Sequence, residues 1–322
     1  MAERSTLIEA DGLHRFFGPT QAVQDFSFQL ERGEILGFLG VNGAGKTTTM
    51  EMLTGNLAPS GGQIELNGYD LLDNPRPAKA SVGYLPETLP LYPSMTVDDY
   101  LRFCARLNRV PKQDMDSAVA TARRRCGLDA VGERVIANLS RGYKQRVGLA
   151  QAIVHDPEVL ILDEPTNGLD PIQVREIRQL IRELGESHSV ILSSHVLPEV
   201  EAICTRVQII HEGRLVLAED VSALRARMQH SSLLVGGRAL PAPDVLQEMP
   251  GVEQVERLDD GRLRVFHAAE SDLAEQIVAR AASEGWGLSE LTPERKSLEQ
   301  VFVDLTGASE SDVQSTNEEM AA

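Results

Sequence analysis

The stretch GVNGAGKT, Gly40 to Thr47, carries the most specific chemistry in this sequence. It fits GxxxxGK[ST], in which glycines let backbone N–H groups curl around phosphate oxygens and a following helix adds partial positive charge. Lys46 is placed to reach the outer phosphates, Thr47 to offer its hydroxyl to Mg2+, and Thr48 to add a hydroxyl contact to phosphate. A second cluster, VLILDEP at Val159 to Pro165, ends an apolar run with two carboxylates, as a strand does when it delivers acids to the carboxyl edge of a sheet. Asp163 suits Mg2+ held through its hydration shell, and Glu164 suits an attacking water that must be oriented or deprotonated. Alone, two acids at a strand end read as a solvated turn; beside the phosphate loop they read as a nucleoside triphosphate site. A third stretch, LSRGYKQR at 139–146, sets a serine, a glycine and three cations where a helix begins. No neighbouring base would make Ser140 a nucleophile.

These residues need a scaffold, and the hydrophobic pattern supplies one. DFSFQL (25–30) and GQIELNG (62–68) alternate as half-buried strands do, whereas GEILGFLG (33–40) and PEVLILDE (157–164) are apolar on both faces. The mixture predicts an α/β fold with a mixed-sheet core and an antiparallel flank. From Thr96 to about Gly127 the pattern is helical, with Thr96 as N-cap, Asp98 and Asp99 in the first turn, and Leu101, Ala105 and Leu107 as the apolar face. After SVILSSH (189–195) come a short helix and the hairpin RVQIIHEGRLVLAED, then a helix over about 221–228. The Gly and Pro content of SSLLVGGRALPAPD marks a domain boundary. Strand-like GVEQVERL and GRLRVFH, a helix near 271–283, strand-like WGLSEL and a closing helix SLEQVFVDL then predict a small α+β domain of ferredoxin-like order.

The length of 322 residues accommodates two domains with real cores. No apolar run approaches the roughly 20 residues that span a bilayer, and MAERSTLIEA lacks the apolar centre of a signal peptide, so cytoplasmic residence is the expectation. Three cysteines, Cys104, Cys126 and Cys204, without CxxC spacing favour neither a disulfide framework nor a zinc site; they read as buried thiols. A formal charge of −17 argues against a general attraction to nucleic acid or anionic lipid, and no nucleic-acid partner is expected.

Taken in order, GVNGAGKTT, LSRGYKQR, LILDEPTNGLDP and SSH resemble the ATP-binding cassette of ABC transporters over roughly residues 5–230, with a helical insertion at about 88–155. The closing ERKSLEQVFVDLTG resembles the C-terminal extension of bacterial exporter subunits, including gliding-motility-associated and drug or sodium export types. That extension would span 231–307, and the acidic tail 308–322 reads as disordered. The resemblance implies a P-loop NTPase fold and ATP with Mg2+ as ligands. Gly40, Asn42, Gly43, Gly45, Lys46, Thr47 and Thr48 match the Walker A loop, Asp163 the Walker B acid and Glu164 the catalytic glutamate. His195 matches the switch histidine, and Gly168-Leu169-Asp170 the loop through which two cassettes communicate. Phe17 sits where the family stacks an aromatic on adenine, with Phe16 as its rival, although either ring could be core. Leu139, Ser140, Gly142 and Arg146 match the signature motif, with Ser140 and Gly142 binding the γ-phosphate of the nucleotide held by the other cassette. One copy of each motif implies a second ATP-binding subunit, most simply a homodimer.

Two departures stand out. The usual LSGGQ core is here Leu-Ser-Arg-Gly-Tyr, so Arg141 brings charge near a phosphate and Tyr143 brings bulk. Glu87 occupies the usual Q-loop glutamine position, where a carboxylate could ligate Mg2+ and sense nucleotide. The expected function is an ATP-hydrolysing subunit that drives a separate membrane permease, for export, from the inner face of the cell membrane. A soluble ABC ATPase that remodels a protein or nucleic-acid assembly is the alternative, disfavoured by the single cassette and by the lack of a long coiled coil between motifs. A non-hydrolysing regulatory subunit is disfavoured by the joint presence of Lys46, Thr47, Asp163, Glu164 and His195.

Overall fold

The computed structural model describes residues 5–228, 231–258, 260–267 and 272–295. The chain divides into two compact units, Met1–Val221 and Ser222–Ala322. The expected closing helix SLEQVFVDL and the acidic tail lie outside the described residues.

Two sheets build the first unit. Strands β1 (Thr6–Phe17), β2 (Thr20–Glu31), β4 (Gly61–Leu66) and β5 (Tyr69–Asp70) form an antiparallel sheet in the order β2-β1-β4-β5. The second sheet runs β10-β9-β3-β8-β7-β6, from β3 (Ile35–Leu39), β6 (Val82–Leu85), β7 (Val159–Leu162), β8 (Ser189–Ser194), β9 (Arg206–His211) and β10 (Arg214–Asp220). All its neighbours are parallel except the closing β9–β10 hairpin. Every residue of β3, β7 and β8 is buried, which is why β3 and β7 lack a polar face. Phe26, Phe28 and Phe38 interlock edge to face at the core of this unit, with ring centroids 5.2–5.7 Å apart.

The helical insertion holds α3 (Val97–Leu107), α4 (Met115–Arg125) and α5 (Arg141–Ile153). Thr96 caps α3 by accepting the Asp99 N–H at 3.1 Å. Its buried face is Val97, Tyr100, Leu101, Cys104 and Ala105, a run at helical spacing. Leu107 falls off that stripe and is 65% exposed, so its expected place on the apolar face is corrected. Helix α6 (Pro171–Gly185) starts from Asp170, whose carboxylate accepts from the N–H groups of Ile172 and Gln173. The remaining helices of this unit are α1 (Lys46–Leu53), α2 (Pro75–Ala80) and α7 (Leu197–Ile203); α8 (Val221–Met228) follows β10. All three cysteines are free and buried. Among the described residues no helix is long and apolar enough to cross a membrane.

The second unit contains β11 (Ser231–Gly237), α9 (Pro243–Gln247), β12 (Val252–Arg257), β13 (Leu263–His267), α10 (Leu273–Glu284) and β14 (Leu288–Arg295). Its antiparallel sheet has the order β12-β13-β11-β14, the ferredoxin-like arrangement of a βαββαβ chain. Ser231–Gly237, expected as a boundary, is thus an inner strand. Its Leu233 and Val235 join Trp286, Val265 and Ile277 in the core, and this apolar content outweighs the Gly-Gly that ends the strand. The division between units falls earlier, between Val221 and Ser222.

Candidate functional site

Strand β3 ends at Leu39 and the chain turns through Gly40, Val41, Asn42, Gly43 and Ala44 into α1. Gly45 precedes that helix at φ 102°, a left-handed conformation, and a Cβ there would lie 2.6 Å from the Ala22 carbonyl oxygen. No side chain caps α1, so its first N–H groups remain available to a ligand. Asn42, Gly43 and Thr47 are exposed at this end and Thr48 is half-buried, whereas Lys46 is buried. The ammonium of Lys46 donates to the carbonyls of Gly40 (2.8 Å) and Val41 (3.2 Å) and lies 3.4 Å from Glu164 Oε1.

Parallel pairing of β7 between β6 and β8 brings the acids to the same sheet edge. Ser193, at the end of β8, donates to Asp163 Oδ1 at 2.5 Å and accepts the Glu164 N–H at 2.8 Å. Burial pushes the Asp163 carboxyl above its ordinary range, against the opposing pull of the Ser193 and Thr47 hydroxyls. Glu164 sits at φ 46°, a strained conformation for a side chain with a Cβ. His195 Nδ1 donates to Glu164 Oε2 at 3.0 Å. Burial alone would raise the Glu164 carboxyl, but the His195 hydrogen bond and the Lys46 charge win, and it is held below the usual range. The same hydrogen bond to Glu164 raises His195 and favours its imidazolium form.

Three atoms of this cluster are buried without a hydrogen-bond partner: Asp163 Oδ2, Glu164 Oε1 and His195 Nε2. Buried polar atoms are normally satisfied, so orphans beside an uncapped helix and a lysine fit a ligand with both phosphate oxygens and a divalent cation. Lys46 and His195 contact Glu164 directly, and Ser193 links Glu164 to Asp163.

The other expected residues occupy different places. Ser140 caps α5, accepting the Tyr143 N–H at 3.4 Å, and Gly142 faces Gln173 of α6, whose Oε1 would stand 2.7 Å from a Cβ. Arg141 Nη2 donates to the Asn167 carbonyl at 3.0 Å, with its guanidinium lying over Gly168. Glu87, in the loop after β6, accepts from Asn167 Nδ2 at 3.1 Å. Phe17 is 47% exposed and Phe16 46%, so neither ring is core. The Arg15 guanidinium carbon stands 4.7 Å from the Phe17 ring centre.

Ser193 and Asn167 escaped the sequence reading. A hydroxyl inside a strand that is otherwise apolar, as in VILSS, was the available signal for Ser193. Asn167 carried no local signal. Nor did Glu199, a buried carboxylate that accepts hydrogen bonds from Thr166, from Ser194 at 3.3 Å and from Arg178 at 3.2 Å.

Residues 23–167 match the family described as ABC transporter. The bacitracin transport ATP-binding protein BcrA of Bacillus licheniformis is 33% identical over 94% of this chain and 98% of its own length. The linearmycin resistance ATP-binding protein LnrL of Bacillus subtilis (strain 168) is 28% identical over 94% and 98%. A solved ATP-binding subunit of an ABC transporter, 30% identical, superposes with a TM-score of 0.62 over 69% of this chain and 93% of that one. The fold and the phosphate site define a P-loop ATPase. The chain belongs to the ABC transporter family, as an ATP-binding subunit that hydrolyses ATP.

Proposed function

We propose that this subunit closes with a second ATP-binding subunit, in the simplest case its own copy, around two ATP–Mg2+, and drives a separate membrane permease from the inner face of the cell membrane. Export is the direction supported by the relatives named for bacitracin transport and linearmycin resistance. The observation that carries the reading is the contact set Lys46–Glu164–His195, with orphaned polar atoms on Asp163, Glu164 and His195.

Backbone N–H groups from Gly40 to Thr48 bind the phosphates, and Lys46 neutralises their outer charge. Bound Mg2+, held by Thr47 and Asp163, would withdraw negative charge from the transferring phosphoryl oxygens. Glu164, kept ionised by its neighbours, orients the attacking water and accepts its proton. His195 steadies Glu164 through Nδ1 and leaves Nε2 to face phosphate. Phe17 offers a flat face to adenine. Ser140 and Gly142 meet the nucleotide of the partner subunit, since their contacts within this chain are with α5 and α6.

Steady-state hydrolysis compared between the natural chain and Glu164→Gln tests the reading. The variant should bind ATP, lose turnover by at least about a hundredfold, and accumulate as an ATP-bound dimer on size-exclusion chromatography. Equal hydrolysis by both proteins would sink the assignment of Glu164. Copurification from native membranes tests the permease: a chain recovered with no integral membrane protein refutes the transport coupling.

A further inference from the structure

Two of the three residues that depart from the family pattern, Arg141 and Glu87, meet at one residue. Arg141 holds the backbone carbonyl of Asn167, and Glu87 holds its side-chain amide. Gly168, at φ 67°, has no Cβ, and one placed there would coincide with the Arg141 guanidinium. Glycine at 168 therefore makes room for arginine at 141. The same loop is tied to α5 a second time, by Gln145 Nε2 donating to the Pro165 carbonyl at 2.7 Å. Asn167 also donates its own N–H to the Glu164 carbonyl at 3.1 Å, closing a tight turn directly after the strained glutamate. A shift of Asn167 is thereby transmitted to the Glu164 backbone.

We propose that Arg141 and Glu87 are positioning residues that grip Asn167 from two sides, fixing the turn that aims Glu164 and the adjoining Gly168–Asp170 loop. The proposal rests on the ATPase reading above. All three side chains are exposed, and exposed polar contacts add little to global stability. Their effect is orientation of a carboxylate, which acts on turnover. None of the three touches Lys46 or the Gly40–Thr48 turn, so nucleotide affinity has no reason to follow. A guanidinium acting directly on phosphate would instead change affinity.

The test is steady-state Mg–ATP hydrolysis by the full chain, with Arg141→Ala, Arg141→Lys, Asn167→Ala, Glu87→Ala and the double variant Asn167→Ala/Glu87→Ala. Each alanine variant should lower kcat by about two- to tenfold, the range set by losing one hydrogen bond, with KM for ATP within about twofold and the thermal midpoint within about 2 °C. Arg141→Lys keeps a donor for the Asn167 carbonyl and should restore most of the lost kcat. Because Glu87 acts through the Asn167 amide, the double variant should be no slower than its slower parent. Multiplicative losses in the double variant, or an Arg141→Ala effect confined to KM, overturn the proposal. Hydrolysis by Glu164→Gln at the natural rate would fell the ATPase assignment and this role together. Loss in Glu164→Gln with an unchanged kcat in Arg141→Ala would fell this role alone.

Discussion

Ser193 links the two acids of the site, and Ser193→Ala should separate its contribution from theirs. The hydroxyl is fully buried and makes two bonds that water cannot easily replace, one to the Asp163 carboxylate and one from the Glu164 N–H. A hydrogen bond to a charged group contributes about 1.5–3 kcal/mol, and a buried N–H left unsatisfied costs at least about 1 kcal/mol. Removing one oxygen leaves too little space for a compensating water, so the loss should be about 2.5–4 kcal/mol for the first unit. With a urea dependence of about 3 kcal/mol/M, the unfolding midpoint drops by about 1 M. Far-UV circular dichroism is the probe, because the single tryptophan, Trp286, belongs to the second unit. The substitution also frees Glu164 from one of the restraints that hold it at φ 46°, so kcat should fall by more than tenfold with the protein still folded. A midpoint shifted by less than about 0.2 M together with an unchanged kcat would refute the reasoning, since the two buried bonds would then contribute nothing.

Three further outcomes follow from other parts of the fold. Gly45→Ala places a methyl 2.6 Å from the Ala22 carbonyl at a φ that L-residues avoid, and should weaken ATP binding at least about tenfold in a nucleotide titration; unchanged affinity would mean the loop accommodates a side chain. Glu199→Ala strands Arg178, Thr166 and Ser194 around a buried gap and should cost about 3 kcal/mol in urea unfolding, against no change if the carboxylate were idle. His188 is held as the neutral Nδ1–H tautomer, because Nδ1 faces the Pro157 carbonyl at 2.7 Å and Nε2 faces an Arg125 donor at 2.9 Å. Burial is the main cause that lowers its pKa below the ordinary 6.5, so its contribution is complete above that value and is lost as pH falls toward the depressed folded value. The stability of the natural chain should therefore decline relative to His188→Asn below about pH 6.5, and parallel curves would refute this.

What the sequence displayed and what it concealed divide by the range of the interactions. The Gly40–Thr48 turn, the Asp163-Glu164 pair and the Thr96 cap are each set by a few consecutive residues, and all could be read locally. Strands β3 and β7 were legible because burial on both faces leaves an uninterrupted apolar run. Leu107 misled because an eleven-residue helix has one buried stripe whose phase depends on what packs against it, and Tyr100 with Cys104 set that phase. Strand β11 was concealed by its own ending: Gly236 and Gly237 imitate a linker, and the Leu233–Val235 run before them is too short to declare itself.

Arg141 and Glu87 were the hardest to read, since both are recognisable only as departures from a pattern. A motif comparison places them by position, beside a phosphate and a metal. The structure places them by reach, and a guanidinium at the start of α5 reaches the turn after β7 because Gly168 leaves it space. The interval from residue 87 to residue 167 is spanned by the whole helical insertion, so no local pattern could pair Glu87 with Asn167. Substituting a glycine of the signature by arginine therefore need not disturb the serine that caps the helix. It adds a strut to the neighbouring turn, and the nearest group that strut can influence is the strained carboxylate of Glu164.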